Sequence, residues 1–365
     1  MPPASRKGTL CVLPALLLII LAFTAMPSRQ AVASIENNVE HSVRDKVLHY
    51  DHQKNCTDNT SGKGASFNYL TYFNCGMVSV DTNGSVSREF TLIVQENQRL
   101  VVSTQGNTFE GWTFNGTIPG PTIRVTEGDH IKIALVNSQD SQHSHSLHMH
   151  SIHPASMDGV EHGIVPPGQN YTYEFIAGPF GVYPYHCHVE PIEDHINRGL
   201  YGMMIIDRKT PRPQMNEMVM MMNGYDLDYK KAEKESPFMM PKPGHIHGGP
   251  EERDNEIYSV NGKAFEYADN PINLTTGEPV RIYLVNMLEF DLVNSFHLHG
   301  NMFNYYPSGT STKPEELNDI VTLSQGDRGI IEFTPKYPGR YMFHAHQTEF
   351  TDKGWMGFFN VADVN

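Results

Sequence analysis

The sequence has no sustained 3.6-residue periodicity, little positive charge and few cysteines, and each shortage narrows the field. Without amphipathic periodicity a helical bundle is excluded as the organising fold. Lys and Arg number 27 against 41 Asp and Glu, a formal net charge of −14. A chain this acidic is not built for nucleic acid, whose phosphates dominate binding, and suits cationic partners or simple solubility. Charged residues reach only 19%, while 30 Gly and 24 Pro are present, the make-up of a turn-rich all-β chain. A length of 365 residues leaves room for two or three domains, each with its own core.

The N-terminus reads as a targeting segment. Arg6 and Lys7 precede an apolar run from Thr9 to Met26, and Ala31-Val32-Ala33 offers small residues for cleavage. Residues 1–33 are predicted to be a signal peptide, with an uncleaved membrane anchor as the alternative because the run approaches the length of a span. Either way the rest is exported, to the extracellular or periplasmic space or to the outer face of a membrane. Six Asn-x-Ser/Thr sequons, at Asn55, Asn59, Asn83, Asn115, Asn170 and Asn273, permit glycosylation there without demanding it. Of the four cysteines, Cys11 lies in the leader. Cys56 and Cys75 flank a polar loop in an extension spanning 34–85, and in an oxidising compartment they are predicted to form a disulfide. Nothing in the pattern assigns that extension a role. Cys187 is left over.

From residue 86 the pattern becomes short alternating stretches such as Phe90-Thr91-Leu92-Ile93-Val94 and Ile131-Lys132-Ile133-Ala134-Leu135-Val136, broken by Gly, Pro and Asn as in a β-sandwich. An internal repeat organises them. Phe114-Asn115-Gly116, Gly128-Asp129 and Val136-Asn137 recur as Val260-Asn261-Gly262, Gly277-Glu278 and Val285-Asn286. Two homologous domains follow, 86–209 and 214–365, with a charged Pro/Gly-rich loop at 230–255. Met218 to Met222, interrupted by Val219, falls where the second domain's first strand is expected, and is read as core packing rather than a metal relay.

Each repeat carries two His-x-His pairs: His148/His150 and His186/His188, then His297/His299 and His344/His346. Random placement of 19 histidines gives about one such pair, and the chain has six. On a strand, positions i and i+2 share a face, so a pair offers two imidazoles to one metal site. His245/His247 sit in the Gly/Pro loop, where a surface tract is the plainer reading; Met239/Met240 beside them stay undecided. The first repeat adds His145, three before His148, Cys187 between His186 and His188, and His195 eight after Cys187. Two histidines and a thiolate make the trigonal site of a blue copper. The second repeat has Asn294 and Ala345 in place of His145 and Cys187. It cannot hold one.

His145-Ser-Leu-His-Met-His150, His186-Cys-His188, His297-Leu-His-Gly300 and His344-Ala-His346 closely resemble the four copper motifs of multicopper oxidases, and the likeness runs from residue 86 to the C-terminus. Blue copper in the first of two domains resembles a two-domain laccase-type oxidase; three-domain laccases keep that copper in the last domain. The resemblance implies two cupredoxin-like Greek-key β-sandwich domains and four coppers per subunit. His145, Cys187 and His195 would hold the type 1 copper, with the non-ligating Leu200 where other members place an axial Met, which raises the potential. Met203 is the substitute axial candidate, off the family spacing. His148 and His297 match the type 2 ligands; His150, His186, His188, His299, His344 and His346 match the type 3 ligands.

The implied reaction is one-electron oxidation of a donor, through the edge of His195 or His145, coupled to four-electron reduction of dioxygen to water. Asp158 and Glu190 resemble the family's proton-delivering acids, and Glu349 is a weaker candidate. The implied assembly is a homotrimer with the three-copper cluster at subunit boundaries. The donor is a phenolic or aromatic compound or a reduced metal ion; Glu193 and Asp194, just before His195, are the substrate-side candidates, with plain surface solvation as the alternative. Two competing classes remain: a copper-containing nitrite reductase, which needs one mononuclear catalytic copper, and a non-catalytic copper-binding or electron-transfer protein, which leaves the second repeat's histidines unexplained.

Overall fold

Alternation along one strand sets the architecture. In Val86–Val101, Arg88, Phe90, Leu92 and Val94 are buried while Glu89, Thr91 and Ile93 face outward, as a strand's two-residue period requires. The structure, a computed structural model, describes residue 56, residues 68–227 and residues 254–363. The leader, most of the 34–85 extension, Met239/Met240 and His245/His247 lie outside the described residues.

The strands fall into two sandwiches. In the first, Val86–Val101 pairs with Met77–Val80, Thr108–Phe114 and His130–Asn137, which pairs with Asn170–Ile176. The facing sheet joins Ile123–Thr126, Tyr201–Asp207, Gly181–His186 and His148–Met149. In the second, Asn216–Tyr225 takes the place of Val86–Val101, pairing in parallel with Val280–Asn286 as Val86–Val101 does with His130–Asn137. Its facing sheet contains Val293–Leu298, Gly339–His344 and Met356–Ala362. Each sandwich encloses its own core, and a third apolar cluster joins them: Val182, Met203 and Ile205 meet Val219, Met221 and Val285. The methionine run is therefore split by strand alternation, Met218, Met220 and Met222 into the second core and Met221 into the seam. All four are buried packing residues.

Residues 68–80 lie in the span read as a polar extension without a role, and here the structure differs. Tyr69, Leu70, Tyr72 and Phe73 are buried, and Met77–Val80 extends the first sandwich's sheet. The aromatic cluster Tyr69-Leu70-Thr71-Tyr72-Phe73 was the signal that the polar surroundings masked. Cys56 and Cys75 form the expected disulfide.

Phe73 also packs against a buried ion network that crosses the seam. The Arg124 guanidinium lies 4.8 Å from the Phe73 ring centre and grips Asp207 and Glu217 with paired bonds of 2.7 and 3.1 Å and of 2.6 and 3.2 Å. Glu217 also accepts from Arg281 at 3.0 Å and Tyr283 Oη at 2.7 Å. Burial pushes the Glu217 carboxyl up, but the two guanidiniums and Tyr283 outweigh it and hold it down at about 2 against an ordinary 4.5. A depressed carboxyl stabilises the fold above its unfolded value, and that contribution is lost as pH falls through the folded value. Thermal melting temperature is therefore expected to fall between pH 4.5 and 2, with a shallower fall in Glu217→Gln. Glu217→Ala, which strands buried guanidiniums, is expected to cost about 3–5 kcal/mol in denaturant unfolding near neutral pH.

Candidate metal centres

Three elements deliver the thiolate site. His145 is fixed by a bridge to Val165, its N–H donating to the Val165 carbonyl at 3.0 Å. Cys187 lies one residue past strand Gly181–His186, and His195 sits in the short helix Ile192–Asn197. Their donor atoms converge: Cys187 Sγ is 3.1 Å from His195 Nδ1 and 3.8 Å from His145 Nδ1, and the two Nδ1 atoms are 3.3 Å apart. Burial pushes the Cys187 thiol up to about 11. Burial pushes His195 down to about 3, helped by His145 and His143, and lowers His145 against the opposing pull of Glu96. Neutral imidazoles around a sulfur, buried from solvent, suit a soft or borderline metal.

Leu200 lies in the same apolar core as Cys187, whereas Met203 faces the seam between the sandwiches. Strand alternation in Tyr201–Asp207 thus removes Met203 as a substitute axial ligand. The expected donor edge also needs correcting. His145 is wholly buried and His195 is 2% exposed, because the Trp112 ring packs across both, with centres 5.3 and 4.9 Å away. Arg198 lies over Trp112 at 5.1 Å.

Sequence reading missed Glu96. It continues the inward series Phe90, Leu92, Val94 and is buried, so a carboxylate stands where the alternation calls for an apolar side chain. It accepts from His145 Nε2 at 2.9 Å, His143 Nδ1 at 3.0 Å and the backbone amides of His143 and Gln142 at 3.0 and 3.2 Å. Burial pushes its carboxyl up, but these bonds prevail and hold it at about 2.

The eight remaining histidines form two matching sets. Strand register puts His148 opposite His186 and His297 opposite His344. His150 Nε2 is 3.1 Å from His186 Nε2, and His299 Nε2 is 3.0 Å from His344 Nε2. His148 Nδ1 donates to the Asp158 carbonyl and His297 Nδ1 to the Asp319 carbonyl, both at 2.9 Å. His186 and His344 donate to the carbonyls of Cys187 and Ala345 at 2.8 and 2.6 Å. An imidazole that spends Nδ1–H on a carbonyl leaves Nε2 as a metal-ligating lone pair. Burial lowers His150 to about 4 and His186 to about 3. His188 and His346 complete the sets, with rings 5.1 Å from His148 and 5.4 Å from His297. His188 Nδ1 is buried without a partner, an orphaned donor or acceptor that a bound metal would accommodate. Among the described residues, every cluster able to hold a metal draws on one repeat alone.

Of the acids, Asp158 Oδ1 is 3.1 Å from His148 Nδ1 and 3.8 Å from His153 Nε2. Glu190 is exposed beside Pro191, and no contact in the chain brings it to a cluster among the described residues. Glu193 and Asp194 occupy the first turn of the helix that carries His195. Glu349 pairs with Lys353 at 2.8 Å.

Family models described as multicopper oxidase match residues 95–211 and 235–365. A solved multicopper oxidase is 44% identical, with a TM-score of 0.72 over 80% of this chain and 95% of its own. The blue copper oxidase from Nitrosomonas europaea is 29% identical, with a TM-score of 0.64 over 75% of this chain and 86% of its own. A copper-containing nitrite reductase of Neisseria meningitidis serogroup A / serotype 4A (strain DSM 15465 / Z2491) is 30% identical over 270 residues, 72% of this chain and 67% of that protein. The fold is the expected all-β arrangement of cupredoxin-like sandwiches.

Because the Cys187 thiol titrates near 11 while His195 is neutral above about 3, loading this site releases one thiol proton at neutral pH. Affinity for cupric ion at the thiolate site is expected to rise about tenfold per pH unit from pH 6 to 8. Chelator-buffered titration of the thiolate-to-copper absorption measures it, and a flat profile would contradict the buried-thiol assignment.

Proposed function

The chain belongs to the multicopper oxidase family, and we propose that within it the protein couples one-electron oxidation of a phenolic or aromatic compound, or of a reduced metal ion, to four-electron reduction of dioxygen to water. The observation that carries this reading is the doubled set of four imidazoles. In this reading His145, Cys187 and His195 hold a type 1 copper; His148 and His297 hold a type 2 copper. His150, His186, His188, His299, His344 and His346 hold a type 3 pair, making four coppers per subunit. When bound, copper supplies the electron storage and oxygen reduction that no side chain can perform. The chain's part is placement. Cys187 is bonded in sequence to His186 and His188, a covalent path from the thiolate to the paired imidazoles. Asp158, against His148, is placed to hold a proton beside the larger cluster, and Glu190 is the second candidate for that task.

One chain's two sets share no metal-competent cluster among the described residues, which supports a reading in which a second copy completes the eight. Exposed apolar residues beside them, Ile152 near His150 and Leu292 and Met302 near His297 and His299, suit burial against that copy. A heterologous contact of this kind must close into a ring; a homotrimer is our reading, as is export of the protein past its leader.

Copper nitrite reductase is the second reading, favoured by relatives such as the Neisseria enzyme. One mononuclear catalytic site would leave His148, His188, His299 and His346 without employment. Metal analysis and turnover separate the two. The oxidase is expected to bind four coppers per chain and consume dioxygen with a phenol or Fe²⁺; two coppers with nitrite reduction and no oxygen uptake would establish the alternative. Cys187→Ser is expected to abolish the blue absorption and turnover while retaining the type 2 spin signal, and persistent blue colour would refute the type 1 assignment.

A further inference from the structure

The two repeats provide an internal comparison of what accompanies the thiolate site. Val94 pairs with Asn137 as Met222 pairs with Asn286, and Gln95 pairs with Thr113 as Asn223 pairs with Ser259. The next position along the strand is Glu96 in one repeat and Gly224 in the other. Elsewhere the framework is kept. The backbone N–H of Trp112 donates to the Arg198 carbonyl as that of Tyr258 does to Lys353, and the backbone N–H of Leu200 donates to the His195 carbonyl as that of Trp355 does to Phe350. Arg198 lies over Trp112 as Lys353 lies over Tyr258. Ser146 and Ser295 each accept from the second histidine of the later pair. What changes is a group of five: His145, Cys187, His195, Glu96 and His143 become Asn294, Ala345, Phe350, Gly224 and Leu292. Two of those five are not copper ligands, yet they follow the ligands.

Backbone geometry shows how Glu96 is delivered. The pairing of Val86–Val101 with Thr108–Phe114 slips between Gln95 and Gln98, and Asn97 takes a left-handed φ of 56°. Such a bulge re-aims side chains without altering the ladder behind it. The second strand has a continuous ladder there.

We propose that Glu96 is a positioning residue for the type 1 copper: by accepting Nε2–H of His145 it presents that ring's Nδ1 to the metal, and its buried charge lowers the copper's reduction potential, offsetting Leu200. The proposal rests on the reading of His145, Cys187 and His195 as that site. A carboxylate behind a ligating imidazole fixes its tautomer and raises its basicity, which favours the oxidised metal. His143 shares the carboxylate and so limits how strongly it pulls on His145.

The test is a spectroelectrochemical titration of the blue absorption in the copper-loaded full chain. Glu96→Gln is expected to keep the absorption and shift the one-electron equilibrium about tenfold toward the reduced form, a rise of about 59 mV. His143→Leu, which installs the second repeat's residue, is expected to move the potential the opposite way, because Glu96 then bonds His145 without the competing imidazole of His143. A merely structural Glu96 would reduce copper retention or thermal stability and leave the potential alone. An unchanged potential in Glu96→Gln, or an unchanged or raised one in His143→Leu, overturns the proposal. Should Glu96→Gln fail to fold, the sign of the His143→Leu shift decides. A loaded wild-type protein without blue absorption overturns the type 1 reading itself and the proposal with it, a result distinct from an unmoved potential.

Discussion

Cross-strand register is the constraint on which everything else depends. His148 faces His186 and His297 faces His344 because two pairs of strands meet in one alignment. A slip of one residue would turn each histidine to the opposite face of its sheet. The bulky buried neighbours defend that alignment: Leu147, Met149 and Tyr185 in one sandwich, Phe296, Leu298 and Phe343 in the other, all at or near zero exposure. The imidazoles are thus held in place by apolar packing on the other side of the strand. Carbonyl acceptors then settle which nitrogen remains free, so ligand geometry is prepared by backbone before any metal is considered.

The seam between the sandwiches works on a different principle. Its apolar cluster supplies contact area, but Arg124, Glu217, Arg281 and Glu332 supply direction, since charge pairs this buried tolerate only one arrangement. Phe73, carried in by residues before the first sandwich, covers one face of Arg124. The disulfide between Cys56 and Cys75 lies two residues beyond it. The segment therefore belongs to the joint between the sandwiches as well as to the edge of a sheet.

Much of the site was legible in the sequence, for a physical reason. Strand periodicity makes His-x-His a statement about geometry, and the repeat doubles every such statement. The convergence of His145, Cys187 and His195 was readable too, because Cys187 and its flanking histidines have few alternative uses. What escaped was whatever depends on side-chain direction rather than spacing. Glu96 carries no motif that marks it; only the burial of the series through Val94 and the bulge after it show where the carboxylate goes. Trp112, 75 residues from Cys187 in the chain, gave no sign that it would shut the ring edges of His145 and His195 away from solvent. The aromatic cluster at residues 69–73 was diluted by polar neighbours, so a segment with structural work read as a tail.

The stacking of Tyr258 on Phe350, with ring centres 4.0 Å apart, occupies the place that Trp112 and His195 take in the first sandwich. Where the first sandwich places His195 and Cys187, the second packs hydrocarbon, Phe350 and Ala345. Small side chains there without a large ring would leave a void, and voids destabilise. Phe350 and Ala345, both buried, fill that space as ordinary core, while Leu292 lies at the surface. The second sandwich thus holds its four imidazoles on an apolar frame, while the first holds four of its own beside the cluster of His145, Cys187 and His195. Two like frames, matched in their backbone bonds, therefore differ at this position: one encloses rings that can bind, the other rings that can only pack.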